Sequence, residues 1–338
     1  MSSKKLKIAV VGLGTNGSMH FKQLQHLDTV EIVAAADPLI EDRKKTLNLE
    51  NISFLSTDYH QVLAKKEIEA VFFFTPSSQH LENITAAARA HKNIFCEKPL
   101  SKDGTIAECK KALAEVKNAG VKLQIGFNRR FDPQFKQIHE RVEKGEVGTP
   151  QIVKVVARDP FVIPYDFIKN SGGLIQDFTS HDFDMLRYQA GSDIAEIFIE
   201  SSILIDPKLA EFNDVDTLTA SVKFKNGALG LIDESRQAVY GYDQRVEVFG
   251  PKGMLKAENV SKSTVEFYND KNVSLKKPLD YYLTRFEEAY QEEKTLFVKS
   301  ILENLPIICT GEDALKAMCC SNAALESQKT GQPVKVQY

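Results

Sequence analysis

The sequence predicts an α/β first half, with strands and helices alternating around a parallel sheet, joined to an α+β second half with an open, largely antiparallel sheet. Three observations carry this. Short apolar, β-branched runs alternate with amphipathic stretches up to residue 126. A G-x-G-x-x-G segment follows the first of these runs directly. After about residue 150 the runs lengthen and are separated by turn signals, among them Asn226-Gly227 between two strand-like stretches. At roughly 150 residues per domain, the 338 residues suggest two domains. The expected boundaries are 1–126 and 127–338.

In order, Lys7–Val11 reads as a buried strand ending at Gly12, and a helical pattern follows through His20, Leu24 and Leu27. Glu31–Ala36 is a second strand, closed by Asp37. Asp58–Lys65 is a short helix, and Ala70–Phe74 a strand that stops at Thr75-Pro76. His80–Ala90, Asn93–Cys96, Ile106–Asn118 and Lys122–Ile125 continue the helix–strand alternation. In the second half, strands are expected at Gln151–Ala157, Ile194–Ile205, Asp216–Lys225, Ala228–Glu234, Arg245–Phe249 and Thr264–Tyr268. Helices are expected at Leu174–Tyr188, Tyr282–Asn304 and Asp313–Gln328.

Composition excludes several classes. Lys plus Arg is 43 against 46 for Asp plus Glu, a net charge of -3, which argues against bulk binding to nucleic acid. The five cysteines (Cys96, Cys109, Cys309, Cys319 and Cys320) are odd in number and lack C-x-x-C spacing, so neither a disulfide framework nor a zinc ribbon is expected. Buried thiols in a reducing, cytoplasmic compartment are the simplest reading. Met1–Lys7 lacks the apolar stretch of a signal peptide, and no apolar run approaches the ~18 residues of a membrane span.

The glycine motif, Gly12-Leu13-Gly14-Thr15-Asn16-Gly17, sits between a strand and a helix, the context in which it binds a dinucleotide. Gly12 would allow the tight turn, Gly14 the approach of a pyrophosphate, and Gly17 close packing of helix on strand. The helix N-terminus offers free N–H groups to phosphates. Asp37, 20 residues after Gly17, stands where an acid binds the adenosine ribose. An acid there repels a 2′-phosphate and no arginine follows directly, which favours NAD over NADP.

Two clusters could act on an alcohol. Asp177 and His181 are four apart and would share a helical face, so that a carboxylate could orient an imidazole acting as a base. By spacing alone, the pair also fits a helix with a solvated polar face. Glu97-Lys98-Pro99 ends a strand of the first half, where a lysine could hydrogen-bond a reacting oxygen, or simply precede a turn proline. Arg129 and Arg130 could bind ligand or form interdomain salt bridges. No H-x-x-x-H or similar set supports a metal.

Together these pieces resemble the Gfo/Idh/MocA oxidoreductase family. The resemblance is carried by GLGTNG at 12–17, Asp37, TPSSQH at 75–80, EKP at 97–99, GFNRRFD at 126–132 and GGLIQDFTSHDFDMLRY at 172–188. ARDP at 157–160, HDFDMLRY at 181–188 and YGYDQRVEVFG at 240–250 are most similar to the inositol 2-dehydrogenase branch. The resemblance implies a Rossmann domain followed by a sheet domain that builds homodimers or homotetramers. It implies Lys98, Asp177 and His181 as catalytic residues, with His181 the general base. Thr15, Asn16, Thr75, Pro76, His80, Glu97 and Lys98 would join the glycines and Asp37 at the cofactor. Arg129, Asp159, Asp177, His181 and either Tyr240 or Tyr242 would line a polyol site, with substrate held between the nicotinamide and the second-domain sheet. Asn128 stands where inositol dehydrogenases often have methionine, and Asp159 where some have asparagine; both bear on which hydroxyls are read. The expected activity is NAD-dependent oxidation of a secondary hydroxyl of a cyclic polyol, myo-inositol or an isomer. The alternatives are a pyranose sugar or trans-dihydrodiol as substrate, and a non-catalytic NAD(P)-sensing regulator.

Overall fold

A computed structural model describes residues 5–102 and 104–338. Residues 1–4, on which much of the expectation for the leader rests, lie outside these. The chain forms two compact units: residues up to 128 together with 290–315, and residues 129–289 together with 316–338. The expected cut after 126 had kept 290–315 with the second half.

The first unit runs β1 (Leu6–Val11), α1 (Thr15–Gln25), β2 (Val30–Ala36), α2 (Ile40–Arg43), β3 (Phe54–Ser56), α3 (Tyr59–Leu63), β4 (Ala70–Phe73), α4 (His80–Arg89), β5 (Asn93–Glu97), α5 (Ile106–Ala119) and β6 (Leu123–Gly126). The six strands are all parallel, in the order β3-β2-β1-β4-β5-β6. β4 is buried throughout, which is why it reads as an unbroken apolar run and not as an alternation. Phe72 of β4 stacks on Phe95 of β5 at 5.3 Å and meets Phe297 edge-on at 5.4 Å. Burial of that ring ties 290–315 to this core. The chain order reverses direction between β1 and β4, so the sheet opens a crevice at their carboxyl ends.

The second unit contains α6 (Pro133–Glu143), β7 (Ile152–Arg158), α7 (Tyr165–Ser171), a π-turn over Leu174–Phe178, α8 (Thr179–Ala190), β8 (Ile194–Ser202), β9 (Thr217–Phe224), β10 (Leu229–Ser235), β11 (Asp243–Gly250), β12 (Gly253–Ala257), β13 (Glu266–Tyr268), β14 (Val273–Leu275) and α9 (Tyr282–Arg285). The chain ends through α10 (Glu287–Leu302), α11 (Gly311–Thr330) and β15 (Val334–Lys335). Seven strands form one sheet, β12-β11-β7-β10-β9-β8-β15, in which only the β7–β10 pair is parallel. The Asn226-Gly227 turn joins β9 to β10 as expected, with Gly227 at φ +90°.

Several elements differ from expectation. The helix expected over Leu174–Tyr188 begins with a π-turn, and the one over Tyr282–Asn304 is interrupted at Phe286. β8 stops at Ser202, because the Leu204 and Ile205 amides turn to the Asp216 carboxylate. The strand near Thr264–Tyr268 lies outside the large sheet, in a two-stranded hairpin with β14. α6 was missed, although Asp132 caps it and Pro133 opens it.

Candidate active site

In the first unit the glycine loop follows the physics of its motif. Gly12 has φ +86°, and a Cβ there would lie 2.6 Å from the Phe74 carbonyl oxygen. A Cβ on Gly17 would lie 2.0 Å from the Gly12 carbonyl oxygen, so any side chain would force α1 off β1. Gly14 caps α1, and a Cβ there would meet nothing within 4 Å. No side chain caps the helix, and its first turn (Thr15, Asn16 and Gly17) carries no acid. Open approach and uncapped amides fit a diphosphate.

Asp37 ends β2 and closes the same loop. Its Oδ2 accepts the Leu13 N–H at 2.6 Å and its Oδ1 the Leu39 N–H at 2.8 Å. Arg43, not anticipated from the sequence, returns to Asp37 with Nε 3.3 Å from Oδ1. The carboxylate therefore both shapes the loop and holds down the nearest arginine.

Beyond β4, Thr75 Oγ1 accepts a hydrogen bond from Asn83 at 2.6 Å. His80 is buried, with Nδ1 2.7 Å from the Pro99 carbonyl and Nε2 3.1 Å from that of Thr75. Burial lowers its pKa against the pull of both carbonyls; the neutral ring donates its one N–H to one of them and sets its other nitrogen against the second, between the Thr75-Pro76 loop and the Lys98-Pro99 loop, whose peptide is cis. His80 thus acts on the loops and sits behind them.

Glu97 is engaged from below. His20 of α1 places Nε2 3.0 Å from Glu97 Oε1 and stacks on Phe74 at 4.2 Å. Lys294 Nζ lies 2.9 Å from His20 Nδ1, so the ammonium donates there and the ring's proton sits on Nε2, facing Glu97. Burial, reinforced by Lys294, pushes His20 down to about 4, and burial lowers Lys294 to about 8. Burial would raise Glu97, but the hydrogen bond from His20 and the positive charges of Lys294 and Lys98 hold it below its usual range. His20, Glu97 and Glu293 also offer ligand atoms within 4.8 Å of one another, a set invisible in the sequence. Lys294 already supplies a cation to that cluster.

In the second unit, Arg129 and Arg130 sit on a 3₁₀ turn, Asn128–Phe131. Arg129 bonds Asp182 and lies over the Phe178 ring at 5.6 Å, while Arg130 grips Asp184 bidentately at 2.6 and 2.8 Å. Both arginines pair within this unit. The polar face of α8 is interior, since Thr179, Ser180, Asp182 and Asp184 are all buried. Asp177 and His181 are half-buried, Asp177 on the π-turn and His181 in the first turn of α8. Asp214 accepts the Leu174 N–H at 2.7 Å and fixes the start of the π-turn.

Asp159 is buried just after β7, with its N–H on Ser235 and its carbonyl accepting from Ala238. Burial raises its carboxyl to about 7, against the pull of Arg236 and Arg129 and with the push of Asp177 and Asp182. Tyr242 is buried beside this group. Burial raises its phenol far above 10, Arg129 opposes that, and Asp159 adds to it. Tyr240 stands apart from them: its hydroxyl donates to Asp243 at 2.5 Å and accepts from Arg158 at 2.9 Å. Of the two tyrosines, Tyr242 therefore shares surroundings with Arg129, Asp159 and Asp182. Asp182, Glu234 and Arg236 were missed. The one available signal was Glu234, an acid on the inward face of an alternating strand.

Comparison with known proteins bears on the two halves of the chain. Residues 6–127 match the family model described as an oxidoreductase family with an NAD-binding Rossmann fold, and residues 135–256 match the GFO/IDH/MocA C-terminal domain. An uncharacterized oxidoreductase of Bacillus subtilis is 40% identical, covering 99% of this chain and 98% of that protein. A myo-inositol 2-dehydrogenase of Thermotoga maritima is 38% identical, over 98% of this chain and 99% of that one. A scyllo-inositol dehydrogenase from Lactobacillus casei, solved with NAD(H) and scyllo-inositol, has a TM-score of 0.90 and 27% identity, covering 98% and 99% of the two chains. With a dinucleotide-type sheet, an open-faced second sheet and relatives matched along nearly their whole length, the chain belongs to the Gfo/Idh/MocA oxidoreductase family.

Proposed function

We propose that the protein is an NAD-dependent dehydrogenase that oxidises a secondary hydroxyl of a cyclic polyol, myo-inositol or an isomer. The observation that carries this reading is the buried group of Arg129, Asp159 and Tyr242, with Asp177 beside it. Two acids, a guanidinium and a phenol offer both donors and acceptors to a molecule that presents hydroxyls on every side. Relatives named for inositol oxidation match the chain from end to end.

Bound NAD supplies the hydride acceptor. Gly14 and the α1 amides would hold its diphosphate, Asp37 its adenosine ribose, and Thr75, Pro76 and Glu97 the nicotinamide end, with His80 fixing the loops. His181 takes the hydroxyl proton, and Asp177 orients the imidazole and stabilises its charged form. Lys98 donates a hydrogen bond to the substrate oxygen as negative charge develops. Arg129, Asp159 and Tyr242 hold the remaining hydroxyls and set which carbon reacts. A second copy of the chain is expected on the open face of the seven-stranded sheet.

The test is reduction of NAD and of NADP by the purified protein with a panel of inositol isomers, glucose, xylose and a dihydrodiol. Turnover with an inositol and NAD is the expected result. Turnover with a sugar alone moves the substrate and keeps the chemistry. NAD binding without turnover on any of them overturns the reading in favour of a dinucleotide sensor.

A further inference from the structure

Glu234 lies on the inward face of β10, where alternation turns Leu229 and Leu231 outward and Ile232 and Glu234 inward. An acid there must find partners inside the protein. Its Oε2 accepts the Thr179 hydroxyl at 2.7 Å, a closer acceptor for that single proton than the Leu174 carbonyl at 3.2 Å. Asp182, equally buried one turn into α8, receives Arg129 on Oδ1. The two remaining oxygens, Glu234 Oε1 and Asp182 Oδ2, are both buried with no donor among the described residues, and the two side chains are in hydrogen-bonding contact with each other. Two carboxylate oxygens cannot bond one another unless one carries a proton. Arg129 is bonded to Asp182 and offsets its charge directly, while Glu234 contacts a neutral hydroxyl and another acid and feels Arg129 without a bond to it, so the proton belongs on Glu234. Its burial and the neighbouring Asp182 push in the same direction.

We propose that Glu234 is a protonated positioning residue that shares its proton with Asp182 and so fixes Arg129 for recognition of the polyol. This rests on the substrate reading given above. The hydrogen bonds then run with one polarity: the Thr179 hydroxyl donates to the Glu234 carbonyl oxygen, the Glu234 O–H donates to Asp182, and the Asp182 carboxylate accepts from Arg129. Such a chain holds a guanidinium by one nitrogen in a defined orientation. Asp159, Asp177 and Arg236 surround the same group. An ionised Glu234 would instead set a second carboxylate against Asp182 and pull Arg129 between two acids.

The first test needs no substrate. Infrared difference spectra of the whole protein, wild type against Glu234→Gln, should show a protonated carboxyl C=O band in the wild type that the variant lacks. Glutamine reproduces the same polarity, donating from its amide nitrogen and accepting on its oxygen. The second test is kinetic. Glu234→Ala should raise the substrate KM by about 10-fold or more with a smaller change in kcat, and Glu234→Gln should recover KM to within about 3-fold of the wild type. If the wild type turns over a sugar in place of an inositol, the same comparison is made with that sugar, so a change of substrate is distinguished from failure of the proton pair. Absence of the carboxyl band, or a glutamine variant as impaired in KM as the alanine variant, would overturn the proposal.

Discussion

Arg129 and Arg130 are neighbours in sequence with different surroundings. Arg130 spends its guanidinium on a bidentate grip of Asp184 and lies over the Tyr188 ring, a structural use. Arg129 binds Asp182 through one nitrogen and lies near Asp159 and Tyr242. No property of the dipeptide distinguishes them; the acids two residues apart on α8 do. The same holds for Tyr240 and Tyr242: both precede β11, and the turn through Gly241, at φ +129°, leaves one hydroxyl in the Arg158–Asp243 network and the other ring in the interior. Two predictions belong at this scale. His181→Ala should lower kcat by at least ~100-fold while NAD affinity, measured by calorimetry, is unchanged. Near-normal turnover would remove His181 from the mechanism. Asp37→Ala should weaken NAD and move selectivity toward NADP, because it frees Arg43 from its carboxylate partner as well as removing a repulsive acid. An unchanged NAD-to-NADP ratio of kcat/KM would place the ribose contact elsewhere.

At the scale of elements, α1 does more than present its N-terminus. Its outer turn is pinned to β1 by Gly17, and its interior turn carries His20 to the end of β5. His20 stays neutral in the folded protein down to about pH 4, whereas in the unfolded chain it takes a proton near its ordinary 6.5. Between those values the unfolded chain binds more protons, so stability is fully present above 6.5 and is lost as the pH falls toward 4. The loss attributable to this one group is about 3 kcal/mol. Denaturant unfolding at about pH 7 and about pH 4.5 should show a steeper acid loss in the wild type than in His20→Gln. Equal slopes would mean that His20 is not the group being charged. The π-turn before α8 is a second case. Gly172 at φ +93° and Gly173 at φ +76° reverse the chain, and Asp214 receives the Leu174 amide, so Asp177 is delivered from a widened turn in front of a regular helix. Four-residue spacing in the sequence could not show that widening, because it depends on an acid 40 residues away.

For the whole molecule, the outer face of the seven-stranded sheet is the feature that calls for a partner. Leu229, Ile152, Phe249 and Met254 stand in one register row across β10, β7, β11 and β12, each between 39% and 52% exposed. Leu231 stands two residues along the same face. A contiguous apolar row on a monomer's surface is uncommon and marks an association site. Sedimentation of the wild type should give a dimer or tetramer, and Phe249→Glu combined with Leu231→Lys should give a monomer that still binds NAD. A monomeric wild type would refute that use of the face. Among the described residues, no helix is long and apolar enough to cross a membrane.

What the sequence determined by itself is local in origin. Period-2 and near-continuous apolar runs specified the central strands of both sheets, because burial on one face or two imprints directly on residue order, while the short edge strands β3, β12 and β15 carry too little pattern to be read. The glycine spacing specified the loop, because Gly12 and Gly17 answer close backbone contacts and Gly14 leaves the approach to the helix N-terminus open. Asn226-Gly227 specified its hairpin through the backbone preference of two residues. Tertiary structure decided what depends on side chains far apart in the chain. It returned 290–315 to the first sheet by burying Phe297, set Lys294 against His20 across 274 residues, and turned Arg43 onto Asp37. It also turned Tyr242 rather than Tyr240 toward Arg129, and joined Asp182 to Glu234 in a pair whose proton no spacing rule reveals. Charges and hydrogen bonds act through space at a few ångströms, and only the folded chain brings those groups within that range.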